Sequence, residues 1–166
     1  GVHPSEQRDL LSASLTAMVD LLDGKVVSMD TQWFRLADAR LQLLPYQSPR
    51  MEMAVACALT PHGPTTAGRH GIAMLSVAAS SGPGFAALPD HWRICEQVGG
   101  ENGHPVHRDN WRIVAPIHVA ASREQALADI REGVMAGVID YMRAIGGEIL
   151  KEALAGVETA DQALNK

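Results

Sequence analysis

Residues 51–77, MEMAVACALTPHGPTTAGRHGIAMLSV, place two apolar runs on either side of a short segment rich in Thr, His, Gly and Pro. The first run, Met51 to Leu59, is apolar almost throughout, which is typical of a strand buried on both faces of a parallel sheet. The second run, Gly71 to Val77, predicts another strand. Between them we predict a loop and a short helix that begins near Pro64, because proline is favoured at the first helical position.

The loop after the first of these strands predicts an anion site. Thr60 to Pro64 supplies a hydroxyl, an imidazole and a glycine backbone just before the helix. Free backbone N–H groups and the positive end of the helix dipole point the same way at such a position, so the expected ligand is a phosphate. Turns also need Thr, Gly and Pro for their own geometry, and that alternative stays open. The chain has neither a P-loop nor a GxGxxG motif, so the loop alone names no nucleotide.

Composition indicates a single soluble globular domain over residues 1–166. The chain is 46% hydrophobic and 20% charged, which is enough apolar material for a core. Its net charge of −5 and its scattered basic residues give no electrostatic footprint for nucleic acid. There is no apolar run of about 18 residues that would indicate a membrane span. Cys57 and Cys95 are far apart and no hydrophobic signal segment is present, which predicts a reduced cytoplasmic location with both thiols buried as small hydrophobes.

Upstream of the opening stretch, we predict a helix and a hairpin. The helix carries a stripe of apolar residues and ends at Gly24; the stripe consists of Leu10, Leu11, Leu15, Met18, Val19 and Leu22. Short alternating stretches within residues 25–44 then predict a small hairpin or an extended excursion.

Downstream, we predict a small-residue loop at 78–84 and a helix from Leu88 to Glu101, which Pro89 restricts to starting at or just before it. A third strand is predicted over residues 111–120, with Pro116 favouring an irregular or edge position. Ser122 and Gln125 form a capping-box pattern that predicts a long helix ending at the glycine pair 146–147. Alternating strands and helices indicate an α/β fold with parallel strands, and three strands cannot close an eight-stranded TIM barrel.

Two segments resemble a known family. PYQSPRMEMAVACALTPHGPTTAGRHGIAMLSVAA at 45–79 and NWRIVAPIHVAASREQALADIREG at 110–133 look like the luciferase-like flavin-dependent monooxygenases, in particular the branch that contains limonene monooxygenase. The phrase LQLLPYQSPRMEMAVA at 41–56 is fairly specific to this group. The resemblance implies a (β/α)8 barrel that binds reduced FMN and activates dioxygen to oxidise a small organic substrate, with a flavin reductase as the source of reduced flavin.

The resemblance also implies site residues. The FMN phosphate would be held by the loop after the fifth barrel strand, which corresponds here to Leu59, Thr60, His62 and Gly63. Thr60 would offer its hydroxyl and Gly63 a backbone N–H. His62 departs from the family pattern, which has a small serine there, so the imidazole must either donate to the phosphate or displace it. No catalytic residue is assigned, and His104 and His107 lack the further ligands that a zinc site needs.

The family pattern predicts that this chain is an internal fragment. The resemblance begins where a family member has already completed its early strands, which usually carry a catalytic histidine, and the last strands are missing too. We therefore expect a partial TIM barrel, without turnover on its own and prone to self-association. Two alternatives stay open. One is a non-catalytic barrel-like subunit or scaffold, and the other is an oxidoreductase of the same fold that uses a deazaflavin coenzyme.

Overall fold

The computed structural model describes residues 2–3, 6–48, 50–145 and 154–164. The chain forms two compact units, Gly1–Ala115 and Pro116–Lys166. The first unit is mixed α/β, and its elements in chain order are α1 (Gln7–Leu22), β1 (Val27–Asp30), β2 (Arg35–Ala39), β3 (Ala54–Cys57), α2 (His62–His70), β4 (Ala73–Ser76), α3 (Gly82–Glu101), a 3-10 turn (Arg108–Asn110) and β5 (Arg112–Ile113).

A parallel three-stranded sheet organises the first unit. Its strand order is β3-β4-β5, with β4 in the centre. Ala54 pairs with Ala73 in one ladder, and Leu75 pairs with Arg112 in the other. Helix α2 connects β3 to β4 and α3 connects β4 to β5, so the chain makes two successive βαβ units. The predicted order of strand, loop, helix and strand in residues 51–77 is confirmed.

The helices and strands of this unit share one buried cluster. Its members come from α1, α2, α3, β3 and β4 or their ends, and they are Leu15, Val19, Cys57, Ala67, Ile72, Met74 and Cys95. Ala54 and Ala56 of β3 are exposed while Cys57 is buried. Because side chains alternate along a strand, the helices cover one face of β3 and leave its other face open.

Helices α2 and α3 pack at unusually short range because glycines face each other. A Cβ built on Gly68 would lie 2.6 Å from the carbonyl oxygen of Cys95 and 2.8 Å from the amide nitrogen of Gly99. Side-chain carbon atoms do not approach backbone atoms that closely, so only glycine allows this helix pair. The packing fixes α2, and with it the loop that precedes α2.

The first helix and the hairpin follow the sequence pattern in part. Strands β1 and β2 pair antiparallel, which confirms the hairpin. In α1, Leu15 and Val19 are buried, whereas Leu11 and Met18 are 40% and 49% exposed. The apolar stripe of α1 is therefore only half covered.

Two helices begin earlier than their proline residues predict. Helix α2 begins at His62, so Pro64 is its third residue and not its first. Helix α3 begins at Gly82, and Pro89 lies inside it. The start of α3 is set by Ser81, whose hydroxyl accepts a hydrogen bond from the Gly84 amide at 3.1 Å. Pro89 removes one intrahelical hydrogen bond, and the helix continues through it to Glu101.

The third strand is much shorter than its apolar pattern. Strand β5 contains only Arg112 and Ile113, and one further ladder bond runs from the Val114 amide to the carbonyl of Ser76. Pro116 follows closely and has no N–H with which to continue a ladder. The apolar side chains of Ile117 and Val119, 83% and 85% exposed, therefore stay outside the sheet.

The second unit is helical in its described part. It contains α4 (Arg123–Gly133), a π-helical segment (Val134–Asp140), α5 (Tyr141–Ile145) and α6 (Ala160–Leu164). Ser122 accepts a hydrogen bond from the Gln125 amide at 3.2 Å, which confirms the N-cap. The Gln125 side chain instead donates to Asp129, so only one of the two capping-box bonds forms. The predicted end at 146–147 lies outside the described residues.

No helix in the described part of the chain is both long enough and apolar enough to cross a lipid bilayer.

Candidate functional site

The four residues predicted to bind phosphate lie at the carboxyl end of β3, in the loop and first turn that lead into α2. Leu59 and Thr60 are exposed, His62 is half-buried and Gly63 is buried. They follow the apolar segment that contains β3, which is why a sequence pattern could find them. The packing of α2 against α3 holds this short turn in place.

The first turn of α2 has two backbone donors to offer. Pro61 is the N-cap and Pro64 is the third helical residue, and neither has an N–H. The Thr65 amide donates to the carbonyl of Pro61 at 3.0 Å. The donors left for an external acceptor are the amides of His62 and Gly63. No acidic side chain lies in this first turn, so nothing offsets the positive end of the dipole of this nine-residue helix.

Gly63 is also required by packing. A Cβ at this position would lie 2.7 Å from the Sγ atom of Cys57 and 3.0 Å from the carbonyl oxygen of Ala56. The glycine lets α2 begin directly against β3. Any substitution at Gly63 therefore disturbs the fold as well as the site, and the sequence alone did not separate the two roles.

The His62 imidazole has hydrogen-bonding capacity that the described residues leave unused. Its Nε2 atom is buried and has no hydrogen-bond partner among them. A buried polar atom without a partner costs about 1–3 kcal/mol, and a bound acceptor would recover that cost. The Nε2 atom of His70 and both ring nitrogens of His91 are also buried without a partner among the described residues, and a buried atom is closed to an external ligand. Donation to the phosphate and displacement of it therefore both stay predictions for His62.

The basic residues at the other end of α2 do not take part. Arg69 and His70 lie in its last turn, about 10 Å from the first turn at 1.5 Å per residue. Burial lowers the pKa of His70, with the nearby Arg69 charge as the next cause. The position of Arg69 fits the preference of cations for helix C-termini.

Arg50 is a structural anchor that sequence reasoning missed. Its guanidinium donates to Asp23 at 2.5 Å and to the carbonyls of His70 and Gly71 at 3.3 and 3.2 Å. It therefore joins the end of α1 to the end of α2. The partners are 20 or more residues away in sequence, and no local pattern announces them.

The far end of β4 is held by a buried hydrogen bond. The Trp111 indole Nε1–H donates to the Ser76 hydroxyl at 2.9 Å, and Ser76 is 2% exposed. Met74 is buried in the cluster beneath the helices. Met74 and Ser76 therefore have a packing role in the first unit.

The cysteines form neither a disulfide nor a reactive pair. Cys57 and Cys95 are free and buried, as predicted. Burial raises the pKa of the Cys57 thiol to about 11, so it is protonated at neutral pH and a poor nucleophile. Within the described ranges, no three side chains of His, Cys, Asp or Glu come together to hold a metal ion.

Comparison with known proteins identifies relatives by sequence. No family model matches the chain. Limonene 1,2-monooxygenase from Rhodococcus erythropolis is 37% identical over 135 residues, which is 81% of this chain and 34% of that protein. 4-Hydroxyprotoasukamycin monooxygenase from Streptomyces nodosus subsp. asukaensis is 36% identical over 149 residues, 88% of this chain and 40% of that protein. The chain thus spans between a third and two fifths of the length of these curated relatives.

Solved structures resemble the fold. A monooxygenase from Streptomyces bottropensis superposes on 87% of this chain and 46% of its own, with a TM-score of 0.62 and 16% identity. A type II Baeyer–Villiger monooxygenase, the oxygenating constituent of 3,6-diketocamphane monooxygenase from Pseudomonas putida in complex with FMN, superposes on 99% of this chain and 46% of its own, with a TM-score of 0.58 and 17% identity. At such identities the likeness concerns the fold. Together with the two sequence relatives, it shows that this chain belongs to the luciferase-like monooxygenase family.

Proposed function

We propose that this chain is the phosphate-binding part of a flavin-dependent monooxygenase that uses reduced FMN and dioxygen to oxidise a small organic substrate. One observation carries the proposal: the first turn of α2 offers two backbone donors and has no acidic side chain, at the place where the family resemblance puts the FMN phosphate. The relatives named as monooxygenases support the reaction class. Reduced FMN, when bound, supplies the electrons that activate dioxygen.

The residues of the loop fit a phosphate group. The Thr60 hydroxyl is exposed and donates to one phosphate oxygen, and the amides of His62 and Gly63 donate to others. The Nε2 atom of His62 is buried, so the imidazole would have to turn outward before it could add a donor. Leu59, 43% exposed, lies beside the anion as an apolar neighbour. No residue is assigned to the oxygenation step.

We also propose that the chain is an internal fragment of such a barrel, without the N-terminal strands and the C-terminal end. The described parallel sheet has three strands, whereas a TIM barrel has eight. The small share of each relative that the chain covers supports the same proposal. The organic substrate and a flavin reductase would then bind to the other part of the barrel.

Thermal unfolding with added FMN tests the phosphate site. FMN at 100 times its dissociation constant should raise the free energy of unfolding by about 2.7 kcal/mol. Riboflavin, which has the same ring and no phosphate, should stabilise much less. Thr60→Val should weaken FMN binding about tenfold by removing one hydrogen bond to a charged group, whereas Thr60→Ser should retain most of the affinity.

The outcomes separate the alternatives. A melting temperature that stays constant up to millimolar FMN contradicts the site. Equal stabilisation by FMN and riboflavin would show that the phosphate group contributes nothing to binding, which contradicts the proposed site. Stabilisation by a deazaflavin coenzyme and not by FMN replaces the proposed cofactor with the alternative one. Gly63 is left unchanged in this experiment, because its substitution strains the contact with Cys57.

A further inference from the structure

A cavity of about 540 Å³ opens at the other end of the parallel strands from the α2 loop. Its walls come from the segments that precede β3, β4 and β5, from the first residues of β4 and from α3, whereas the phosphate loop follows β3. None of its lining residues belongs to the range 59–63. The side chains that define it are Met51, Met53, Ile72, Met74, Trp92 and Trp111.

The cavity has an apolar floor and a rigid aromatic wall. Ile72, Met74 and Cys95 form the floor and are 6%, 2% and 2% exposed. The rings of Trp92 and Trp111 stack with centroids 5.7 Å apart and planes at 20°. Trp111 is held by its hydrogen bond to the Ser76 hydroxyl, and the Arg108 guanidinium lies 4.8 Å from the centre of the Trp92 ring. These contacts preorganise the wall, so a ligand would have little side-chain ordering to impose.

The two formally charged residues of the lining are paired within the fold, and the Arg108 guanidinium packs on the Trp92 ring. Arg50 pairs with Asp23 at 2.5 Å, and Glu52 pairs with Arg112 at 2.8 Å. An ionic ligand would have to compete with these partners for its counter-charge. The other polar side chains of the lining are Gln47, Ser48, His107 and Asn110.

From these observations we infer that the cavity is a second small-molecule site, which takes an uncharged molecule with both hydrocarbon and neutral polar surface. Its volume lies within the range of about 300–1,000 Å³ that is usual for ligand sites. An apolar floor and a fixed aromatic wall suit hydrocarbon surface, and the amide and hydroxyl groups at the rim suit one or two neutral polar atoms. The inference does not depend on the proposed function, because the two sites share no residue.

Binding of N-phenyl-1-naphthylamine, a neutral dye that emits in apolar surroundings, tests the inference. The Trp33→Phe variant removes the only tryptophan that does not line the cavity, leaving Trp92 and Trp111 as energy donors. We expect saturable dye emission with one molecule bound per chain and quenching of the two remaining tryptophans. Emission that never saturates, or that leaves tryptophan emission unchanged, would overturn the assignment.

Two matched charge substitutions locate the dye. Met51 lines the cavity and is 51% exposed, whereas Leu43 lies outside it and is 88% exposed. Met51→Glu should weaken dye binding about tenfold or more, because a carboxylate beside an apolar ligand loses hydration, whereas Leu43→Glu should not change it. Equal effects of the two substitutions would overturn the assignment, and circular dichroism verifies that both variants are folded.

Two additional measurements show whether FMN or a second copy of the chain competes with the dye for the cavity. Millimolar FMN should leave the dye affinity unchanged, and this holds whether or not FMN stabilises the chain. Dye affinity that falls as FMN is added would overturn the separation of the two sites. Light scattering during the titration shows whether a second copy of the chain binds and forms a dimer. Dye affinity that falls as dimers form with rising protein concentration would make the cavity a protein contact and overturn the small-molecule assignment.

Discussion

Glycine residues set the distances between backbones in the first unit. A Cβ on Gly63, Gly68 or Gly99 would lie less than 3.0 Å from an atom of a neighbouring element. Gly63 lets α2 start against β3, and the other two let α2 and α3 approach each other and the turn after α3. A glycine in a helix is usually unfavourable, so its presence at these positions is explained by close packing.

Adjacent glycines near the end of α3 provide a direct test. A Cβ on Gly99 would lie 2.7 Å from the carbonyl oxygen of His104, whereas a Cβ on Gly100 meets nothing within 4 Å. Gly99→Ala should lower the free energy of unfolding by about 1–3 kcal/mol through overpacking. Gly100→Ala should leave it unchanged or raise it by up to about 1 kcal/mol, because alanine favours the helix. Urea unfolding of both variants measures this difference, and equal effects would contradict the packing argument.

His70 should make stability depend on pH. Burial lowers its pKa, and the nearby cations Arg69, His104 and Arg50 outnumber the one acidic neighbour, Asp20. The unfolded state therefore binds more protons than the folded state once pH falls below the ordinary histidine pKa of about 6.5. The free energy of unfolding should therefore decrease as the pH is lowered from about 6.5 to the lowered pKa of His70 in the folded state.

The measurement for His70 is urea unfolding over a series of pH values. His70→Gln should reduce the loss of stability below about pH 6.5, because glutamine does not titrate. His107→Gln, at an exposed position, serves as the control and should leave the loss unchanged. An identical pH profile in the wild-type chain and the His70→Gln variant would rule out this origin.

Residues of the site differ in how far sequence could reveal them. Thr60, His62 and Gly63 follow an apolar run directly, so strand and helix patterns were enough to locate them. The anchors Arg50 and Ser76 bond to groups that are 20 or more residues distant, and only the folded chain brings those groups together. The packing role of Gly63 was hidden for the same reason.

At the scale of elements, contiguous apolar runs predict whether a segment is a helix or a strand better than they predict where it begins and ends. Strands β3 and β4 and the β1–β2 hairpin were found, because each is a local pattern. Helix α2 begins two residues before Pro64, with Pro61 as its N-cap residue, and α3 begins at Gly82, where Ser81 caps it, so Pro64 and Pro89 do not mark the helix starts. For strand β5 the prediction is too long, because its apolar pattern continues beyond the residues that pair with β4.

The N-cap of α3 allows a test at this scale. Ser81 accepts from the Gly84 amide at 3.1 Å and donates to the carbonyl of Ala78 at 2.8 Å. Ser81→Ala should lower the free energy of unfolding by about 1 kcal/mol by removing the cap. Ser80→Ala, at the neighbouring exposed position, should change it by less than about 0.5 kcal/mol. Thermal unfolding distinguishes them, and a harmless Ser81→Ala would mean that Pro83 and packing set the helix start without the cap.

At the scale of the whole molecule, the described parallel sheet has fewer strands than the barrel that the family resemblance implies. A barrel has no strand edges, but β3 and β5 are the outer strands of the described sheet. The α/β class and the parallel pairing could be predicted from alternating strands and helices. The arrangement of the other strands of a barrel could not be predicted, because no pattern in this sequence specifies them.

An outer parallel strand with one open face predicts self-association. Ala54 and Ala56 of β3 are exposed, and unpaired N–H and C=O groups on a strand edge favour pairing with another chain. We expect light scattering to show dimers or larger species. Ala54→Lys should shift the distribution toward the 17.8 kDa monomer, because a charge on an edge strand opposes edge-to-edge pairing. Ala86→Lys, on an exposed position of α3, adds the same charge away from the sheet and should not. A monodisperse monomer in the unmodified chain would show that the edge of β3 does not drive assembly.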